Sequence, residues 1–223
     1  MDDPVRVDDV TKVYAGPLGA VTALSGVSFT VRRGEVVAIV GPSGCGKTTL
    51  LSLIGCIDRP TSGTVSIEGR DTSRLDDAGL THLRRDRIGT VFQSFNLLPT
   101  LTVWGNVSVP LLLQRRRQPE IADRVGALLD TVGLDAKALA YPPQISGGEA
   151  QRTAVARAVV HEPAVVLADE PTGNLDPRNG EIVLDILRRL ASEGQAVVIA
   201  THSTDVTSVC DRVIRLRDGA IVA

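Results

Sequence analysis

Residues 41–49 read Gly-Pro-Ser-Gly-Cys-Gly-Lys-Thr-Thr and fit the spacing G-x-x-x-x-G-K-[ST]. Gly41, Gly44 and Gly46, with Pro42, Ser43 and Cys45 between them, allow a backbone to wrap an anion and turn N–H groups inward. A helix beginning just beyond Gly46 adds the positive end of its dipole. In such a loop Lys47 reaches the outer phosphates of a polyphosphate, the Thr48 hydroxyl ligates a divalent cation, and Thr49 continues the helix. Lysine is scarce here: Lys12, Lys47 and Lys137 stand against a large arginine excess among the 24 basic residues. The loop nevertheless carries Lys, because a compact ammonium fits between phosphates where a planar guanidinium is too wide. The expectation is nucleotide binding. Cys45 sits at the helix N-terminus, a place that lowers a thiol's pKa, so alkylation there is expected to block activity and nucleotide to protect it.

A second set of groups lies far along the chain. Val165–Ala168 reads as a buried strand that delivers Asp169 and Glu170 at its end. Neighbouring side chains at a strand end point in different directions, so the two carboxylates take different tasks. Asp169 is expected to hold Mg²⁺ through its water shell and Glu170 to polarise an attacking water. Gln93 follows the apolar run Ile88–Phe92, and His202 follows Ala196–Thr201. Open α/β sheets deliver side chains to a ligand from such places. Gln93 is placed to sense Mg²⁺ or water, and His202 to meet a γ-phosphate. His82 and His161 read as surface or structural.

The elements that must position these groups alternate in the first and last thirds. Val5–Val7, Val27–Val31, Glu35–Val40 and Thr64–Glu68 read as strands, with a helix from Lys47 to about Ile57. The middle holds helical segments near Val103–Arg116, Glu120–Val132 and Gly148–Val160. Asn179–Ser192 is an amphipathic helix, Ala196–Ala200 a strand, and Asp211–Val222 a hairpin turning at Asp218-Gly219. The fold class is α/β: a mostly parallel sheet flanked by helices, with a helical insertion between two halves of one core.

Composition narrows the function. The 223 residues carry 43% apolar side chains and a net charge of −2, with three Phe, two Tyr and one Trp. That charge balance and aromatic scarcity argue against a nucleic-acid binder. Cys45, Cys56 and Cys210 form no disulfide framework, so a reduced, intracellular chain is expected. The start, Met-Asp-Asp-Pro-Val-Arg, lacks a signal-peptide layout. The uncharged run Gly89–Gln114 is long enough to span a bilayer, but Pro99 and Pro110 and several amides break it. A protein that meets a membrane through a partner is expected.

Ile145-Ser146-Gly147-Gly148-Glu149-Ala150-Gln151-Arg152 resembles the signature of ATP-binding cassette (ABC) ATPases. Ser146 and two glycines cap a helix and expose N–H donors beside a hydroxyl, which suits a second phosphate contact. The resemblance covers essentially the whole chain. It implies a P-loop NTPase core with antiparallel β elements and an inserted helical subdomain, residues 1–93 and 161–223 forming the core and 94–160 the insertion. It implies ATP and Mg²⁺ as ligands, with Gln93, Glu170 and His202 catalytic and Thr48, Gln93 and Asp169 at the metal. Tyr14 matches an aromatic that stacks on adenine, a packing role staying open, and Asn174-Leu175-Asp176 matches the D-loop. Two such cassettes close head to tail over two ATP molecules, so Ser146, Gly147, Gly148 and Glu149 would act on the nucleotide of a second copy.

The segments Asp58–Gly63, Phe92–Pro99 and Asp169–Asp176 are similar to the lipoprotein-releasing and macrolide-efflux branch. That implies a membrane permease on a separate chain and a place on the inner face of the cell membrane. Phe95, Leu97, Leu98 and Trp104 are candidates for the permease contact, with burial in the insertion's own core as the alternative. Glu149 stands where the broad signature has Gln, and Gly105 where the branch usually has Glu. Arg115-Arg116-Arg117 reads as a solvated helix end rather than a lipid patch. The alternatives are a cell-division cassette that uses its permease as a lever, and a cassette ATPase without transport.

Overall fold

The computed structural model describes residues 3–16 and 19–222. In chain order, β1 (Val5–Gly16) and β2 (Gly19–Val31) are followed by β3 (Val36–Val40) and α1 (Lys47–Ile54). Then come β4 (Ser62–Ile67), β5 (Arg70–Asp71), α2 (Asp77–Arg87) and β6 (Ile88–Val91). Helices α3 (Val103–Leu113), α4 (Gln118–Thr131) and α5 (Gly147–Val159) lead to β7 (Val165–Asp169). The chain continues with α6 (Pro177–Ser192), β8 (Ala196–Thr201), the short α7 (Thr204–Thr207), β9 (Arg212–Arg217) and β10 (Ala220–Val222).

Two sheets result. One has the order β10-β9-β3-β8-β7-β6, parallel except for the β9–β10 hairpin; the other, β2-β1-β4-β5, is antiparallel. The hairpin turns at Asp218 and Gly219, both at positive φ (49° and 80°), as a two-residue turn between right-twisted strands requires.

Helix α1 lies between the sheets. Its Leu50, Leu53 and Ile54 pack with Val5, Val10 and Val65 of the antiparallel sheet and with Val37, Ile39 and Leu167 of the parallel one. Each such side chain contributes about 2 kcal/mol of burial at most. The other face of the parallel sheet, through Val166, Ala168, Val197 and Ile199, packs on Val155 of α5 and Val183 and Leu187 of α6. Burial on both faces explains why β7 and β8 read as unbroken apolar runs. A third cluster joins α3, α4 and α5 through Val107, Leu111, Val125, Leu129 and Ala156.

Four expectations on element limits are corrected. Strand β1 extends far past Val7 and β2 begins well before Val27; most of the extra length is exposed or half-buried, bulged between Val7 and Val13, and turns through Asp9 at φ 49°. Helix α1 stops at Ile54, where the Gly55 N–H bonds Leu51 O and Cys56 turns to φ 56°. Helix α2 went unread because it buries just Leu80 and Leu83, too few for a periodic signal; Asp76 caps it by accepting from the Gly79 N–H. Helix α3 ends at Leu113 rather than Arg116, with Arg115 at φ 57°. Among the described residues no helix is long and apolar enough to cross a membrane.

Candidate active site

Strand register brings the separate motifs to one edge. In the parallel sheet Val40 pairs with Thr201, Asp169 with Ala200, and Ala168 with Val91. Gly41, Glu170 and His202 are therefore each one residue past a paired position, and Gln93 two past one. The loop, the acidic pair, the glutamine and the histidine all emerge from the carboxyl ends of adjacent strands, where open α/β sheets bind ligands.

Gly46 caps α1 at φ 108°, and a Cβ there would lie 2.5 Å from the Ala23 carbonyl oxygen, so β2 leaves no room for another residue. Among the described residues the N–H groups of Gly44, Gly46, Lys47 and Thr48 find no protein acceptor. The Lys47 ammonium folds back to donate to Gly41 O (2.7 Å) and Pro42 O (3.1 Å). Pro42, Ser43 and Gly44 are exposed, and Thr49 is half-buried on α1. Cys45 corrects an expectation: its side chain is only 4% exposed and belongs to the core beneath the loop, so it is no ready target for alkylation. Its backbone stays in the loop, with the Cys45 N–H on Pro42 O and the Gly219 N–H on Cys45 O.

The Thr48 hydroxyl donates to Asp169 Oδ2 at 3.1 Å. Burial pushes the Asp169 carboxyl above its ordinary value; the Thr48 bond and Lys47 oppose this, and neighbouring Glu170 adds to it. Glu170 stands at φ 45°, its carboxylate held on both oxygens: the Thr201 hydroxyl donates to Oε2 (3.0 Å) and His202 Nδ1–H to Oε1 (2.6 Å). The Glu170 side chain is 13% exposed and that of His202 72%, so a sheltered carboxylate is steered by an open ring. Gln93 is exposed; its Nε2 lies over Gly173, and its carbonyl accepts from Asn174 Nδ2 (3.0 Å). Gln93 makes no bond to Thr48 or Asp169 among the described residues.

The signature caps α5. Ser146 Oγ accepts from the Glu149 N–H and Glu149 Oε2 from the Ser146 N–H, a reciprocal capping box that makes physical sense of Glu at this position. The Ser146 bonds hold the Glu149 carboxyl below its ordinary value. Gly147 is exposed, whereas a Cβ on Gly148 would sit 2.2 Å from Asn179 Oδ1. That amide is itself fixed by Arg152 and by Asp176, the N-cap of α6. No hydrogen bond joins residues 146–149 to the loop among the described residues. Tyr14 lies on β1 opposite Val21, two residues from the Ala23 that touches Gly46. Its hydroxyl donates to Asp58 (2.9 Å) and Lys12 lies over its ring at 4.8 Å.

Several residues that sequence reasoning passed over tie these parts together. Asn106, fully buried, accepts from the Leu98 N–H and donates to the carbonyls of Leu98, Leu101 and Thr102. Gln151 donates to Pro171 O (2.8 Å), and Arg157 donates to the carbonyls of Phe95 and Asn96. Trp104 packs on the α3–α5 cluster, Leu98 is 45% exposed, and Phe95 and Leu97 line a cleft with Pro142, Ile145 and Ser146. His82 is exposed, and His161 is buried with Nε2 bonded to Ile88 O, which agrees with surface and structural roles.

The family description "ABC transporter" matches residues 24–173, from β2 through the signature to the acidic pair. The chain belongs to the ABC transporter family. It is an ABC ATPase cassette by fold as well. An uncharacterized ABC transporter ATP-binding protein of Thermotoga maritima is 46% identical over 99% of this chain and 94% of that protein. The macrolide export ATP-binding/permease protein MacB of Rhodospirillum rubrum is 43% identical over 98% of this chain, which spans 34% of that longer protein. The cassette MJ0796 of Methanocaldococcus jannaschii, solved as a dimer and in a post-hydrolysis dimer bound to ADP and Pi, superposes with a TM-score of 0.91. It is 42% identical, with 98% of this chain and 97% of that one covered.

Proposed function

We propose that this cassette hydrolyses ATP as one half of a head-to-tail pair and powers a separate membrane permease of the macrolide-export or lipoprotein-releasing type. It works on the cytoplasmic side, held peripherally at the membrane by that permease. The observation that carries the reading is the Glu170 carboxylate, clamped by Thr201 and His202 beside the Thr48–Asp169 pair.

In this reading Lys47 exchanges the Gly41 and Pro42 carbonyls for phosphate oxygens, and the loop N–H groups turn to the same phosphates. Tyr14 offers adenine the ring face that Lys12 does not cover. Thr48, Asp169 and Gln93 supply an all-oxygen donor set of the kind Mg²⁺ takes. Bound there, the ion would offset the negative charge that develops during phosphoryl transfer. Glu170 takes a proton from the attacking water as its oxygen bonds the γ-phosphorus and the bond to ADP breaks. The Thr201 and His202 bonds fix the direction of that transfer, and the second ring nitrogen of His202 faces the γ-phosphate. Ser146, Gly147, Gly148 and Glu149 of a second copy close the site, the route by which residues 94–160 move against a core of 1–93 and 161–223. The cleft between Phe95, Leu97, Pro142 and Ile145 receives the permease.

The test is a pull-down of tagged Glu170→Gln from detergent-solubilised membranes, with and without ATP. A permease with a large extracytoplasmic domain, recovered more strongly with ATP, is the expected catch. Division proteins would move the assignment to a signalling cassette, and ribosomal or nucleic-acid partners alone would end the transport reading.

A further inference from the structure

The segment after Gln93 makes an unusual turn. Phe95 and Asn96 both sit in the left-handed region, at φ 59° and 48°. Two consecutive non-glycine residues rarely adopt it, and a bulky Phe pays for it in steric crowding. Something outside the turn must hold it.

Arg157, on the last turn of α5, is that group. Nη1 donates to Asn96 O at 2.7 Å and Nη2 to Phe95 O at 2.9 Å, so the two arms of one planar fork grip two successive carbonyls. The guanidinium is half-buried and has no carboxylate partner among the described residues. Burial accordingly lowers its pKa. A charge placed there for stability would be paired with an acid; this one is committed to backbone oxygens. The same helix begins at the capped Ser146, and Gln151 one turn in holds Pro171 O next to Glu170. Helix α5 thus grips the chain on both sides of the hydrolytic edge.

We propose that Arg157 is a positioning residue for ATP hydrolysis, holding the Phe95–Asn96 turn so that Gln93 keeps its place and follows the helix that carries Ser146. The proposal rests on the reading of Gln93 as a residue of the metal and attacking water. The lysine ammonium is a single point and cannot reproduce the fork, so Arg157→Lys loosens the turn while keeping charge and stem.

The experiment is steady-state MgATP hydrolysis by the full chain and by Arg157→Lys, Arg157→Gln, Gln93→Ala and the Gln93→Ala/Arg157→Lys double variant. Arg157→Lys should lose between about tenfold and a hundredfold in kcat, the scale of a misplacement near 1 Å, with KM for ATP within about twofold. The double variant should be no slower than Gln93→Ala alone, since both act through one side chain. Arg157→Lys keeps the series informative even where Arg157→Gln fails to fold. Losses that multiply in the double variant, or an Arg157→Lys enzyme with unchanged kcat, overturn the role of Arg157. A Gln93→Ala enzyme turning over at the wild-type rate removes the reading of Gln93 first, and the proposal with it.

Discussion

Two adjacent carboxylates at the end of β7 do opposite things to the protein. Glu170 is satisfied on both oxygens by Thr201 and His202, and its replacement by Gln keeps the shape but not the proton acceptor. Turnover by Glu170→Gln should fall about 10²- to 10⁴-fold while ATP still binds, as measured by steady-state hydrolysis beside nucleotide affinity. Asp169 is the costly one. Its folded pKa is raised, chiefly by burial, so the folded state holds its proton more tightly than the unfolded chain does. Stability then drops as pH climbs from the ordinary Asp value through the raised one, and the penalty is complete above it. Asp169→Asn should lift Tm of the nucleotide-free protein by roughly 1–3 °C and abolish Mg²⁺-dependent turnover, a trade readable by calorimetry and assay on one sample.

Among the elements, helix ends carry much of the positioning. Glu149 closes the capping box of α5, and its pKa is held below the ordinary 4.5. Its contribution is complete above that value and disappears as pH falls through the depressed one. Glu149→Gln retains both box bonds without the charge, so it should cost about 0.5 kcal/mol at pH 7, and the gap in Tm should close in acid. The loop before α3 depends on Asn106: Asn106→Ala removes the partner of the Leu98 N–H and of the Leu101 carbonyl and should cost about 2 kcal/mol, a fall in Tm of roughly 4–8 °C. Asn106 and Arg157 also mark what one sequence hides. The strands β3, β7 and β8 were legible because burial on both faces makes them apolar throughout, and the chemistry at their ends followed from where they stop. A helical arginine looks solvated until the carbonyls it grips, some sixty residues earlier, are brought beside it. Helix α2 and the outer halves of β1 and β2 were silent because they bury too little for periodicity to register.

At the scale of the whole molecule, one chain presents a phosphate loop and a signature that make no hydrogen bond to each other among the described residues. If each nucleotide site draws its loop from one copy and its signature from the other, two dead variants should rescue one another. Lys47→Ala mixed with Ser146→Arg leaves one intact site in each mixed pair. An equal mixture should then recover about a quarter of wild-type hydrolysis, whereas sites complete within one chain would recover none. The pairing of β3 has a consequence of another kind. The strand that launches the phosphate loop lies between β8 and β9, both made from the last thirty residues, and the Gly219 N–H supports the loop from below. On the ribosome, the loop is therefore synthesised early yet stays without its parallel neighbours until β8 and β9 have emerged. Nucleotide can stabilise the finished cassette but has nothing to hold in the nascent one, which leaves the apolar faces of β3 and α1 to chaperones until those two strands arrive.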